Sequence, residues 1–186
     1  MRGAFARELK RVPVGKRVYV DETGATTGMT RLYGRAPPGE RVRDAVPQSG
    51  WKVTTLVGAM RLDGPTPAAL AFEGATDAEA FRAFVERSLC PTLRPGDVVV
   101  MDRLGAHRPA AVRAAIEAAR ARLLYLPPYS PDLSPIEPMW SKVKQHLRDA
   151  KARTHDALVG AMGDALRSVT ADDAKGYFEH CGYVVH

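Results

Sequence analysis

The run Asp97–Asp102 (DVVVMD) is the feature that most restricts how this chain can fold. It places four consecutive apolar residues between two acidic ones, directly after Pro95-Gly96. This pattern predicts a short strand that is buried on both faces of a sheet. Such a strand needs a layer of helices on each side, and a chain of 186 residues with 45% hydrophobic residues can supply them within one domain.

The segments before this strand predict an antiparallel meander. Arg17–Asp21 (RVYVD) and Trp51–Leu62 (WKVTTLVGAMRL) read as strands, and Arg31–Arg35 (RLYGR) is the expected hairpin partner of the first. Residues 36–50 contain three prolines and two glycines and are typical of a loop. Ala68–Phe72 is expected to add a short extended piece.

The segments after the meander alternate between helical and extended patterns. We expect a helix over Thr76–Leu89, opened by a capping box of Thr76 and Glu79, and a second buried strand at Leu123–Leu126. Further helices are predicted for residues 109–122, 134–150, 154–169 and 172–180. The order predicts an α/β fold with a mixed five-stranded sheet, flanking helices and a helical tail.

Composition narrows the class of protein. No apolar run approaches the roughly 18 residues of a membrane helix, and Met1–Arg11 lacks the apolar centre of a signal peptide. Cys90 and Cys181 are far apart and match no zinc or disulfide framework, which fits a reducing compartment. We therefore expect a cytoplasmic protein without membrane contact.

The net charge of +6 is concentrated in two stretches. Residues 1–50 hold ten basic and five acidic side chains, and residues 101–150 hold eight and five. The excess favours a polyanionic partner such as nucleic acid. However, 20 of the 27 basic residues are Arg, so part of the excess can reflect the composition of the source genome.

Three carboxylates fall at positions where they can converge. Asp21 and Asp102 end predicted strands, and Glu137 lies in the first turn of the helix after the last strand. If the two strands are neighbours, all three acids can meet at one edge of the sheet. Their repulsion would require a cation, and oxygen ligands select Mg²⁺ or Mn²⁺. This donor set suits phosphodiester chemistry.

Each acid also has a purely structural interpretation. Glu137 is three residues after Ser134 and would fit a capping box, while Asp21 and Asp102 would fit turns at strand ends. Glu22 should point to the face opposite Asp21, because side chains alternate along a strand. Trp140 is expected to pack its helix onto the sheet, and Trp51 and Tyr129 are expected to be core or loop-packing residues.

Three strings resemble the catalytic blocks of one family: VYVDETGATTG, VVVMDRLGAH and LPPYSPDLSPIEPMWSKVKQ. They are similar to those of bacterial insertion-sequence transposases related to the mariner group, in the DDE superfamily with a ribonuclease-H-like core. The 34 residues between Asp102 and Glu137 match that family's spacing. The resemblance runs from about Val18 to Arg148.

The resemblance implies that Asp21, Asp102 and Glu137 bind two Mg²⁺ (or Mn²⁺) ions. The enzyme would cut DNA at transposon ends and join the exposed 3′-hydroxyl to target DNA, as a homodimer in a synaptic complex or paired with an N-terminal DNA-binding part. Its location would be the bacterial cytoplasm, at the nucleoid when bound to DNA. Candidate DNA contacts are Arg103, His107, Lys142 and Lys144, although a local hydrogen bond is also open for His107.

Two departures from the family pattern stand out. Arg103 occupies a position where Asn is common, and it can repel the metals or bind a phosphate. Only 20 residues precede Asp21, so a helix-turn-helix region is expected to be absent. We predict a single catalytic domain over 1–186, with a core of about 17–150 and a tail of about 151–186. It would be the product of the second reading frame of an element whose full enzyme is made by frameshifting, or a decayed remnant.

Two rival hypotheses stay open. The chain can be an inactive fragment that binds DNA or pairs with a complete transposase. It can also be a ribonuclease or junction nuclease that uses the same metal chemistry, because a fold does not fix its substrate.

Overall fold

A computed structural model describes residues 1–47 and 52–185. Five strands form one mixed sheet in the order β3-β2-β1-β4-β5. The strands are β1 (Arg17–Thr26), β2 (Val53–Arg61), β3 (Gly64–Glu73), β4 (Val98–Met101) and β5 (Arg122–Tyr125). The pairs β1/β2 and β2/β3 are antiparallel, and β1/β4 and β4/β5 are parallel. The predicted mixed five-stranded sheet is confirmed.

Six α-helices lie in the described part of the chain. They are α1 (Arg2–Lys10), α2 (Ala78–Phe84), α3 (Ala110–Ala118), α4 (Ile136–Ala150), α5 (His155–Arg167) and α6 (Ala171–His180). The predicted cap of α2 is wrong by one residue, because the Asp77 side chain accepts the backbone N–H of Ala80 and serves as N-cap. None of these helices is both long and apolar enough to cross a membrane.

The predicted hairpin of Arg17–Asp21 with Arg31–Arg35 is wrong. β1 pairs with β2 instead, and residues 27–47 contain no strand. Side chains from the end of α4 and the segment after it hold this connection: Asp149 pairs with Arg31, and Lys151 pairs with Asp44. A ladder of eight residue pairs between β1 and β2 outcompetes a short hairpin next to Pro37-Pro38. Trp51, predicted to pack in the core or a loop, lies outside the described residues.

The sheet separates two apolar clusters. Val98 and Val100 face a cluster that includes residues of α1, α4, α5 and α6. Val99 and Met101 face the other cluster, with residues of α2 and α3. β4 is therefore buried on both faces, as its continuous apolar run predicted. Within the described residues both cysteines are free.

Candidate active site

The register of the two central strands brings two of the predicted acids to one end of the sheet. β1 and β4 are parallel, and Tyr19 pairs with Val100. Asp21 and Asp102 each lie two residues further along and therefore reach the same level of the sheet. β4 ends at Met101, whereas β1 continues for several residues. The chain leaves β4 beside Asp21, and this divergence opens a cavity.

All three predicted acids line this cavity, which has a volume of about 520 Å³. Glu137 enters from the first turn of α4, and residues 126–131 form much of the remaining wall. A larger and more open depression of about 790 Å³ lies next to Glu22 but contains none of the three acids. The smaller cavity is therefore the candidate active site.

Asp21 is the most strongly perturbed carboxyl group of the cavity. Burial, together with the negative charges of Glu137, Glu22 and Asp102, raises its pKa to about 7 against one opposing backbone hydrogen bond. The Nε1–H of Trp140 donates a hydrogen bond of 3.1 Å to Asp21 Oδ2. A buried carboxylate next to other acids is the electrostatic environment that a bound cation would relieve.

The capping-box interpretation of Glu137 is wrong. α4 begins after Pro135, and no side chain caps its first turn; the contact with Ser134 is a backbone hydrogen bond of 3.1 Å from Glu137 N to Ser134 O. The Glu137 side chain is exposed at the cavity. Helix capping therefore does not account for an acid at this position.

Trp140 packs α4 onto the sheet as predicted and is 3% exposed. A Cβ atom placed on Gly58 of β2 would lie 2.9 Å from Trp140 Cη2, so the ring rests directly on the strand. The hydrogen bond from Trp140 to Asp21 is a site contact that we did not predict. Its one signal in the sequence is the position of Trp140 three residues after Glu137, on the same helix face.

His107 joins the two central strands beneath the cavity. Its side chain is fully buried, and its Nε2 lies 2.9 Å from Glu22 Oε2 in a hydrogen bond. Its Nδ1 lies 2.6 Å from Asp102 Oδ1, at an angle outside the hydrogen-bond range. Burial alone would lower the pKa of His107, but the contacts with Asp102 and Glu22 outweigh it and raise the pKa to about 9. The same histidine lowers the pKa of Asp102 against the effect of burial.

This geometry corrects one predicted DNA contact and confirms one orientation. A fully buried His107 cannot contact DNA, so its local bonding role is the correct one. Glu22 points away from Asp21, as strand alternation predicted, because it contacts His107 on the face opposite Trp140. The pairing of Glu22 with His107 was not predicted, since the two residues are 85 positions apart.

The other predicted DNA contacts have different surroundings. Lys142 stays a predicted phosphate contact, and in this structure its ammonium group pairs with Asp173 of α6. Lys144 is half-buried on α4. Arg103 lines the cavity, and its guanidinium carbon lies 5.5 Å from the centre of the Tyr125 ring.

Tyr129 corrects another prediction. We expected it to pack in a core or loop, but its side chain is 99% exposed at the rim of the cavity. Its φ of 51° lies in the left-handed region, which few residues other than glycine adopt. Arg2 donates a 2.9 Å hydrogen bond to Ser130 and also pairs with Asp132, so α1 supports this loop.

The donor set of the cavity fits a hard divalent cation in chemical type. All three side chains are carboxylates, and burial and mutual repulsion raise the pKa of Asp21. Over 1–47 and 52–185, however, no three His, Cys, Asp or Glu side chains are grouped closely enough to hold a metal ion. The cavity thus supplies suitable ligands, but not a preformed three-ligand site.

This fold and site place the chain in a known family. A model of the DDE superfamily endonuclease family matches residues 16–159, and the chain belongs to that family. No curated protein matches the chain.

Solved structures of Mos1 mariner transposase share the fold. A paired-end complex with Mn is 17% identical with a TM-score of 0.75, covering 97% of this chain and 56% of that one. A strand transfer complex is 17% identical with a TM-score of 0.73, covering 97% and 55%. The isolated Mos1 catalytic domain is 16% identical with a TM-score of 0.66, covering 97% and 86%.

These similarities confirm the predicted ribonuclease-H-like fold and the predicted membership of the DDE superfamily. In a pre-cleavage Mos1 transpososome, the matched region is 58% of the transposase chain. This chain therefore spans little more than half of the length of that relative. The narrower prediction of a bacterial insertion-sequence branch stays a prediction.

Proposed function

We propose that this chain is the catalytic domain of a DNA transposase that cleaves DNA at transposon ends and transfers the 3′-hydroxyl to target DNA. The observation that carries the proposal is the cavity shared by Asp21, Asp102 and Glu137. The matched Mos1 structures include paired-end complexes with Mn and with Mg and a strand transfer complex. They support the same type of reaction for a protein with this fold and these acids.

In this proposal the three carboxylates hold two Mg²⁺ or Mn²⁺ ions. When bound, such ions activate the attacking water or 3′-hydroxyl and stabilise the leaving oxygen. The chain's own residues position the ligands. Trp140 fixes one oxygen of Asp21, and the ion pair of His107 with Glu22 and Asp102 holds the start of the loop after β4.

DNA at transposon ends and at the target is the proposed substrate, and a synaptic dimer is the proposed assembly. The net charge of +6 supports a polyanionic partner. Location in the bacterial cytoplasm, at the nucleoid when bound to DNA, belongs to the same proposal. A single catalytic domain over residues 1–186 is also part of this proposal.

The decisive experiment measures cleavage and strand joining on transposon-end DNA, pre-nicked and intact. We expect activity with Mn²⁺ or Mg²⁺ and none with EDTA. Asp102→Asn should lower the rate by at least about 100-fold, because it removes one charged ligand from the site of charge development. Asp156→Asn, which removes an exposed carboxylate on α5, is the matched control and should keep wild-type activity.

One structural observation favours a second candidate function, a DNA-binding fragment that does not cut. This observation is the lack of a preformed three-ligand cluster in the described part of the chain. If the wild type and Asp102→Asn bind DNA equally and both stay inert with Mn²⁺, the second function is correct. Cleavage of an RNA strand with no activity on DNA would instead identify a ribonuclease.

A further inference from the structure

One aromatic ring at the edge of the sheet contacts two arginines. β5 is an edge strand, and the half-buried Tyr125 is its last residue. The guanidinium carbon of Arg103 lies 5.5 Å from the ring centre, and that of Arg113 lies 5.8 Å from the same centre. Both distances are within the range of cation–π attraction, which is strongest when the cation lies over the ring face.

The ring itself is held in place. The Tyr125 hydroxyl donates a 2.9 Å hydrogen bond to the backbone oxygen of the buried His107. Arg113 is supported on α3 by Glu117 at 3.4 Å. The three side chains of Arg103, Tyr125 and Arg113, named here the arginine–tyrosine cluster, therefore form a surface feature centred on an anchored ring.

The cluster carries a positive charge that its neighbours do not fully neutralise. Arg103 makes no ion pair within residues 1–47 and 52–185, and its side chain is exposed. The contact of Arg113 with Glu117 is long and solvent-exposed, so it screens little of the charge. A guanidinium that stacks on a ring by its face keeps its edge N–H groups free for a phosphate.

The position of the cluster connects it to the cavity. Arg103 also lines the cavity that contains Asp21, Asp102 and Glu137, while Arg113 lies outside it on α3. The cluster thus extends from the rim of the acidic cavity to the outer edge of the sheet. The ring attracts Arg103 towards β5, which accounts for a cation beside Asp102 without an ion pair between them.

We propose that the arginine–tyrosine cluster binds the phosphodiester backbone of the DNA strand that leaves the cavity on the β5 side. The inference rests on the proposed function for the identity of the strand. It extends the sequence-based candidate Arg103 by two residues that only the fold reveals. Its ligand is the DNA backbone, so binding does not depend on base sequence.

Equilibrium DNA binding tests the role of the cluster under conditions in which no DNA is cleaved. Fluorescence anisotropy of a labelled DNA duplex is measured in EDTA at several salt concentrations, for Arg103→Gln, Arg113→Gln and the double variant. Each single variant should weaken binding by about 3- to 10-fold near 0.1 M salt and reduce the slope of log K against log salt by about 1. Arg87→Gln is the matched control, because Arg87 is also exposed but lies on the turn that continues α2.

Two variants of Tyr125 test whether its ring contributes to DNA binding by positioning the two arginines. Tyr125→Phe keeps the ring and should bind DNA nearly as well as the wild type, whereas Tyr125→Leu should lose part of the affinity. Thermal unfolding of each variant checks that it is folded. If Arg103→Gln and Arg113→Gln both bind like Arg87→Gln, the cluster is a surface packing feature and the inference is wrong.

The outcome is independent of the test of catalysis. If the arginine variants bind DNA more weakly but the wild type does not cleave it, the cluster is supported and the enzymatic function is rejected. Normal binding in these variants of a chain that cleaves DNA would reject the cluster and retain the enzyme.

Discussion

At the scale of single residues, the candidate active site contains two side chains with strongly raised pKa values, Asp21 and His107. Burial and neighbouring acids raise the pKa of Asp21 to about 7, from an ordinary value of 3.8. The contacts of His107 with Asp102 and Glu22 overcome the effect of burial and raise its pKa to about 9, from 6.5. Asp21 thus ionises only near neutral pH, where His107 is still charged.

Both shifts predict that the metal-free protein loses stability as the pH rises. A folded-state pKa above the unfolded value gives stability that is complete below the unfolded pKa and lost through the folded one. For Asp21 this window is about pH 4 to 7, and for His107 about pH 6.5 to 9. Each loss is on the order of 2–4 kcal/mol. Urea denaturation in EDTA across this range measures both.

Two variants show which residue causes the loss of stability in each pH range. Asp21→Asn should abolish the decline between pH 4 and 7, and near pH 8 it should be more stable than the wild type while it loses cleavage activity. His107→Gln should be less stable at pH 6 and should show no decline between pH 7 and 9. An unchanged pH profile in either variant would contradict the corresponding shift.

At the scale of elements, α4 packs against β2 at Gly58, where there is no room for a side chain. Gly58→Ala would place a Cβ 2.9 Å from Trp140 Cη2 and push the ring away from Asp21. We expect a loss of about 1–3 kcal/mol in the free energy of unfolding, together with reduced cleavage. Gly160→Ala on α5 is the control, because nothing lies within 4 Å of its Cβ position. It should stabilise the protein by up to about 1 kcal/mol, as thermal or urea unfolding would show.

The elements differ in how far local sequence predicts them. β4 was predicted because its four apolar residues are consecutive, and α4 because its apolar residues recur at helical spacing. The pairing of β1 with β2 was missed, because strand pairing depends on contacts between residues far apart in the chain. The hairpin expected at Arg31–Arg35 was predicted from local sequence only, and no long-range contact among the described residues favours it.

At the scale of the whole molecule, the helical tail belongs to the core of the fold. Phe178 of α6 is fully buried, and its ring meets that of Tyr19 edge-on with centroids 5.4 Å apart. Tyr19 lies two residues before Asp21 on β1, so the tail packs directly behind the candidate active site. Residues of α1 and α5 join the same cluster.

Phe178→Ala should therefore destabilise the entire domain. Removing this buried ring costs about 3–5 kcal/mol through lost burial and a residual cavity. Urea denaturation followed by circular dichroism and by tryptophan fluorescence should show one earlier, common transition. Val184→Ala, at an exposed position after α6, is the control and should change little. Separate transitions of the two probes would mean that the tail unfolds by itself.

The sequence by itself determined the fold class and the positions of the three acids, because these depend on local periodicity and on short motifs. The tertiary structure decided the contacts of those acids. Trp140 with Asp21, and His107 with Glu22 and Asp102, meet through the parallel register of β1 and β4 and the docking of α4. Such contacts depend on long-range packing, and that packing also placed Arg103 and Arg113 on a single ring.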